Sequence, residues 1–244
     1  MLMPLMCSEC AADALAAVAD IPDGGSPVRV ASVPVQSSGL YRGVCPRGHK
    51  ILLYADLQPF ELLFESAMEA LVDAYFRESV GSFAAALERY FEFSIATLML
   101  KNGLSTEDFA KTWKSVSRQS ERQLGMYIGI YTVNFRHMPN ILTDEQAKFR
   151  NNVIHKGHFP SPDEVVDFGE AVYKIISAGI RELRSHCDAD MQQARQIASN
   201  AAAKQIGPNE KPGVFDMGTT VSLLVLDEPP PLKEAVHGGE KTIQ

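Results

Sequence analysis

Between positions 150 and 155 the chain carries Arg150, Asn151 and His155, which bring a fixed cation, an amide and a titratable imidazole close together. A guanidinium stays charged throughout the physiological range and can neutralise the charge that builds on a phosphorane, while an imidazole can accept and return a proton. Such a set can act on a phosphodiester without a metal ion. The spacing imposes a condition. At 100° per residue, Asn151 and His155 share a helix face, but Arg150 lies about 140° from His155. Convergence is therefore predicted to require a frayed or tightened last turn, for which Gly157 provides the occasion. The plain alternative is a structural arginine beside a histidine that the helix dipole favours in its last turn.

A second group of residues points to metal binding. Cys7-Ser8-Glu9-Cys10 and Cys45-Pro46-Arg47-Gly48-His49 are two short pairs with the spacing of tight metal-binding knuckles. Gly48 supplies the backbone freedom such a turn needs. Cys7, Cys10, Cys45 and His49 would fill all four positions of a tetrahedral structural zinc and leave none for water. Set against this are the 34 residues between Cys10 and Cys45, longer than in compact zinc fingers, and the alternative of ordinary reduced cysteines. Cys187, beside His186, reads as a plain thiol. His155 and His158 have no carboxylate or thiolate close in sequence to complete a second metal site.

The elements that must hold these groups can be read from periodicity and punctuation. The first ~55 residues have short-strand texture, in Val28 to Val33 and Ile51 to Tyr54, which favours a zinc ribbon. From Gln58 the pattern turns helical, with Pro59 near a helix start and Leu62, Leu63, Ala67, Ala70, Leu71, Ala74 and Tyr75 at i, i+3, i+4 spacing. Further helices are predicted from about Val80 to Leu100, stopping at Gly103; from Thr106 to about Arg122 behind Ser105 and Asp108; and from Leu124 to about Arg136. Thr143 with Gln146 opens the helix that carries Arg150 and His155 and ends at Gly157. Ser161-Pro162-Asp163-Glu164 opens the next, to about Ser185. A polar helix over Ala189 to Ile206, a strand over Thr219 to Leu226 and a disordered tail from Pro229 complete the reading. The expected division is a zinc-ribbon-like β domain over 1–56, a helical bundle over 57–187 and a C-terminal region over 188–244.

Phe149-Arg150-Asn151-Asn152-Val153-Ile154-His155-Lys156-Gly157, followed by Pro160 to Glu164 and the helix with Phe168-Gly169-Glu170-Ala171-Val172, resembles the signature of the HEPN superfamily. That signature is an arginine, four to six residues and a histidine, with a polar residue, often asparagine, directly after the arginine. Tyr75-Phe76-Arg77-Glu78 and Ala85-Ala86-Leu87-Glu88-Arg89 resemble the family's first two helices. The resemblance covers roughly residues 57 to 186. It does not extend to the zinc-ribbon segment or the tail, and it implies a HEPN-like helical bundle that forms a homodimer with two motifs facing each other; with the small β zinc ribbon read from the first 56 residues, the expected chain is mainly α. The resemblance also implies metal-independent endoribonuclease chemistry: His155 in proton transfer, Arg150 on the phosphorane and Asn151 positioning phosphate or His155. Family members commonly act as toxins or in phage defence, under an antitoxin or regulatory protein. Many others are non-catalytic scaffolds that bind RNA or a protein partner.

Composition sets outer limits. At 244 residues with 45 % hydrophobic and 22 % charged content, there is material for a sizeable core. No apolar run approaches a membrane span and Met1 to Met6 lacks the basic flank of a signal peptide, so a soluble cytoplasmic protein is expected, with no membrane association. The net charge of −7 argues against non-specific coating of nucleic acid. The charge is unevenly spread, however. From Lys101 to His158 nine lysines and arginines face five carboxylates, a local basic excess around the motif.

Overall fold

The structure, a computed structural model, describes residues 2–16, 30–36, 38–215 and 219–223. The chain order is β1 (Leu2–Met6), α1 (Ser8–Ala16), β2 (Val30–Pro34), β3 (Leu40–Val44), β4 (Lys50–Ala55), α2 (Pro59–Val72), α3 (Phe76–Lys101), α4 (Thr106–Val116), α5 (Ser120–Phe135), α6 (Asp144–Lys156), α7 (Pro162–Ala203) and β5 (Gly213–Phe215). The protein is mainly helical with a small β region, as the sequence predicts. No helix among the described residues is long and apolar enough to cross a membrane. Two compact units form, Met1–Leu57 with Gln196–Met217, and Gln58–Arg195 with Gly218–Gln244. The region 188–244, read as separate from the sequence, is thus shared between them.

In the first unit β1 and β2 pair antiparallel, Leu2 opposite Pro34 and Met6 opposite Val30. Alternation buries Met3 and Leu5 and leaves Met6 exposed. β3 and β4 form an antiparallel hairpin, and β5 adds to β4 in parallel, Leu53 opposite Gly213. Two expectations change here. The first ~55 residues are not all strand and turn: α1 follows directly on Cys7, whose carbonyl accepts the Ala11 N–H, and its alanine-rich sequence favours helix. The late strand is Gly213–Phe215, whereas residues 219–223 are irregular. These residues belong to the second unit, where carboxylates of α2 take two of their N–H groups, Leu223 N–H donating to Glu61 Oε1 at 3.0 Å and Thr220 N–H to Glu65 Oε1 at 2.5 Å. The expected tail from Pro229 lies outside the described residues, as do Gly24-Gly25 and Val28-Arg29.

The second unit is built on an aromatic core. Phe64 of α2 meets Phe83 of α3 edge-on at 4.9 Å, Phe60 meets Tyr90 at 5.8 Å, and Phe91 of α3 stacks on Tyr127 of α5 at 4.4 Å. Tyr173 of α7 closes on Phe64 at 6.2 Å. α4 stops at Val116 and α5 begins at Ser120, each about four to six residues before the predicted boundary. The run Ser115-Val116-Ser117 explains the break: Ser115 Oγ donates to its own turn at Thr112 O, and Gln123 Nε2 donates to Ser117 O. The two helices predicted over 161–185 and 189–206 run on as α7 but are separated, as read, by a kink at Cys187, whose φ of −145° and ψ of 29° are not helical; the second ends at Ala203.

Around the motif, local chemistry sets the boundaries as read. Thr143 N–H donates to Gln146 Oε1 at 2.9 Å while Gln146 N–H donates to Thr143 Oγ1 at 3.3 Å, a reciprocal cap. Gly157 ends α6 at φ +75°, in the left-handed region glycine enters without a Cβ clash. Ser161 and Glu164 cap α7 in the same reciprocal way.

Candidate functional site

The first site belongs to the N-terminal unit. Cys7 lies directly before α1 and Cys10 in its first turn, while Cys45 and His49 flank the β3–β4 turn. In that turn Cys45 N–H donates to His49 O and Gly48 N–H to Cys45 O, with Gly48 at φ +87°. One pair is therefore a hairpin knuckle, whereas the other starts a helix, a departure from the two β knuckles of a zinc ribbon. The four ligand atoms lie within 4.8 Å of one another, so this cluster could hold a metal ion. Its dimensions test which. A tetrahedral ion with metal–sulfur bonds of about 2.3 Å and a metal–nitrogen bond of about 2.05 Å needs S···S edges of about 3.8 Å and S···N edges of about 3.5 Å. Cys10 Sγ and Cys45 Sγ are 3.8 Å apart, and His49 Nδ1 is 3.5 Å from Cys7 Sγ and 3.4 Å from Cys10 Sγ. The other imidazole nitrogen, Nε2, faces Glu9 Oε2 at 3.5 Å, the outer carboxylate that commonly orients a ligating histidine.

The three sulfurs are buried. Burial pushes the Cys10 thiol up to about 11, with the sulfurs of Cys7 and Cys45 adding to the rise. Burial also acts to raise Cys45, but the backbone N–H groups of His49 and Arg47 and the neighbouring thiols outweigh it and bring Cys45 down to about 7. Such a set accepts a cation that replaces its protons. Cys187 stands apart, buried at the α7 distortion, and its burial raises the thiol away from reactivity.

The second site is a cleft of about 650 Å³ in the helical unit, lined on one side by Arg150, Asn151, Ile154, His155 and Lys156 of α6. Glu88 and Arg89 of α3, Ser117 and Arg118 of the α4–α5 connection, and Ser120, Glu121 and Gln123 of α5 line the rest. Arg150, Asn151 and His155 thus reach one open space. They do so without the predicted fraying: α6 is helical through Lys156, and the cleft wraps around the helix far enough to take in both faces.

Arg150 is 23 % exposed at its side chain, its Nε donates to Asn151 Oδ1 at 3.1 Å, and its Nη1 stands 3.8 Å from Glu88 Oε1, beyond hydrogen-bond length. His155 is exposed and makes no side-chain hydrogen bond among the described residues. Arg89 is committed to the fold: it donates to Glu92 Oε2 at 2.6 Å and to Gln123 Oε1 at 3.3 Å. The lining holds Arg89, Arg118, Arg150 and Lys156 against Glu88 and Glu121, a net positive surface on an acidic chain. Arg118 could be suspected from the local basic excess, but nothing in the sequence signals that Glu88 and Arg89 face Arg150. Neither His155 nor His158 joins a metal-capable cluster among the described residues; His158 Nε2 instead pairs with Glu164 Oε1 at 3.5 Å.

No family model, curated protein or solved structure matches this chain.

Proposed function

We propose that the helical unit is a HEPN-like endoribonuclease whose site is the basic cleft of Arg150, Asn151 and His155. The observation that supports this reading best is that three residues chosen for their chemistry, two of them on divergent helix faces, line one open, cationic space. In this reading His155 takes the proton from an RNA 2'-hydroxyl as that oxygen attacks the adjacent phosphorus. The bond to the 5'-oxygen breaks, that oxygen leaves with the proton that His155 returns, and the products carry a 2',3'-cyclic phosphate and a 5'-hydroxyl. Arg150 neutralises the phosphorane, and Asn151, bonded to Arg150 Nε, fixes the direction of the guanidinium. No step in this scheme uses a metal ion.

Zinc is the ion we assign to Cys7, Cys10, Cys45 and His49, on the donor set and on three ligand-to-ligand distances that match a tetrahedral zinc. All four positions would be filled, so its role is to hold the fold around α1 and the β3–β4 turn. The homodimer, the antitoxin or regulatory partner, and a role as toxin or phage-defence effector rest on the resemblance alone. A second reading, a non-catalytic scaffold for nucleic acid or a protein partner, draws on the Glu88 carboxylate, which competes with phosphate for Arg150.

The test is to incubate the purified protein with mixed RNA in excess chelator beside His155→Ala and Arg150→Ala. Cleavage lost in both variants supports the enzyme reading. Cleavage by His155→Ala at the wild-type rate refutes it.

A further inference from the structure

Next to the cleft, the helical unit holds a space that its own side chains do not fill. Ala84, Leu87 and Phe91 of α3, Leu124 of α5, and Leu142 and Ala147 on either side of the α6 cap line a pocket of about 100 Å³. Its rim is polar. Glu88, Ser120, Glu121 and Arg150 line the pocket and the cleft alike, so one opens from the other. The apolar wall is fixed: Leu87 is buried, and Phe91 is buried and stacked on Tyr127 at 4.4 Å. Close-packed helices leave few such hollows, because wall atoms without neighbours forfeit dispersion contacts. About 10–15 Å³ of such volume admits one water-sized group, so the pocket admits roughly seven to ten, the size of a pyrimidine ring with its substituents.

The carboxylates at the rim decide what can enter. Glu88 is 33 % exposed at its side chain and accepts no hydrogen bond among the described residues, its Oε1 standing 3.8 Å from Arg150 Nη1. A half-buried carboxylate with unused acceptors favours a hydrogen-bond donor arriving from outside. Glu88 and Glu121 together keep phosphate out of the pocket, and Arg118, Arg150 and Lys156 in the adjoining cleft keep out the lysine or arginine of a protein partner. An aliphatic chain leaves the carboxylates without donors. A nucleotide meets every condition, since its base is flat and uncharged with N–H groups on its edge, while its phosphate suits the cations of the cleft.

Resting on the ribonuclease reading, we infer that this pocket reads one base of the RNA and selects cytosine, whose N4 amino group donates to Glu88 while the adjoining phosphate lies on Arg150. A carboxylate accepting from N4 is a recurring means of reading cytosine, and an unstacked base is read by its edge in a fitted pocket. Uracil turns its O4, an acceptor, toward the same carboxylate. Its oxygen and that of Glu88 then face each other without a proton between them. A purine exceeds the space.

The experiment first cleaves an RNA pool of random sequence with the full-length protein in excess chelator and sequences the product ends. Cytosine should exceed uracil about tenfold or more at one fixed position beside the cut. Labelled oligoribonucleotides 2'-O-methylated throughout, which resist cleavage, then carry cytosine or uracil at that position, and their affinities are read by fluorescence anisotropy. Wild type prefers cytosine about tenfold, and Glu88→Gln brings the two within about twofold, because an amide both donates and accepts. That ratio separates base reading from a role of Glu88 in merely orienting Arg150, which would weaken both oligonucleotides alike. Cleavage with no base enriched, or with another base enriched, overturns the inference and leaves the ribonuclease reading standing. So does a tenfold preference that survives in Glu88→Gln. Absence of cleavage by folded wild type overturns both.

Discussion

Alanine at position 179 should destabilise the helical unit, although an alanine in place of a helical glycine ordinarily stabilises by about 0.5–1 kcal/mol. A Cβ built on Gly179 of α7 would lie 2.7 Å from Tyr90 Cζ and closer still to its hydroxyl oxygen. Tyr90 cannot swing away: it is fully buried, with Phe60 at 5.8 Å, Phe91 at 6.1 Å and Tyr127 at 6.1 Å. Overpacking of this kind costs about 1–3 kcal/mol, and a clash with a hemmed-in ring belongs at the upper end. Subtracting the helix-propensity gain leaves a net loss of about 2 kcal/mol, or about 4–8 °C in Tm for a unit of this size. The assay is thermal unfolding followed by helical circular dichroism, for Gly179→Ala alone and with Tyr90→Phe. Removing the Tyr90 hydroxyl takes away the nearest obstruction but not Cζ, so the double variant should recover part of the loss. A raised Tm for Gly179→Ala, or no recovery in the double variant, would refute the packing argument. The contact bears on the cleft as well, because Tyr90 follows Glu88 and Arg89 on α3 and helps to seat that wall.

Cys10→Ser and Cys45→Ser should each lower metal content from about one ion per chain to less than about half, read by elemental analysis of carefully purified protein. Thr143→Ala removes the hydroxyl that caps α6 and should cost about 1 kcal/mol in denaturant unfolding, with unchanged stability arguing against the cap. His137 is held above the usual histidine range by its bond to Met138 O and by Glu182, 2.7 Å from its Nε2. Its stabilising contribution is therefore complete below the unfolded-state value of about 6.5 and fades as pH rises through the folded value. His137→Gln should accordingly lower Tm near pH 5.5 and match wild type at alkaline pH, and a deficit that grows with pH would reverse the sign of the argument.

Both ends of α6 and the start of α7 were legible because their causes are local: Thr143 and Gln146 cap each other, Gly157 takes a positive φ, and Ser161 and Glu164 repeat the cap. The metal cluster was legible for a similar reason, since each pair lies within five residues. What escaped depends on partners far along the chain. β5 is a strand because β4 offers it an edge, and residues 219–223 are not one because Glu65 and Glu61 take the Thr220 and Leu223 N–H groups and Ser222 N–H turns back to Thr219 O. The cleft is of this second kind. Its α6 side could be read from Arg150, Asn151 and His155, whereas the facing Glu88, Arg89 and Arg118 are brought there by packing. The angular separation of Arg150 and His155, read as an obstacle, is accommodated by the width of the cleft.

The central claim, that the cleft cleaves RNA by attack of the 2'-hydroxyl with His155 moving the proton, is tested most directly on an oligoribonucleotide with one defined cleavage site. The rate is measured in excess chelator, with the product ends identified by mass. We predict a 2',3'-cyclic phosphate, no cleavage when the single 2'-hydroxyl at that site is replaced by hydrogen, and a rate about 10²–10⁴-fold lower for folded His155→Ala. Cleavage of the 2'-deoxy substrate, or an unchanged rate for His155→Ala, would contradict it.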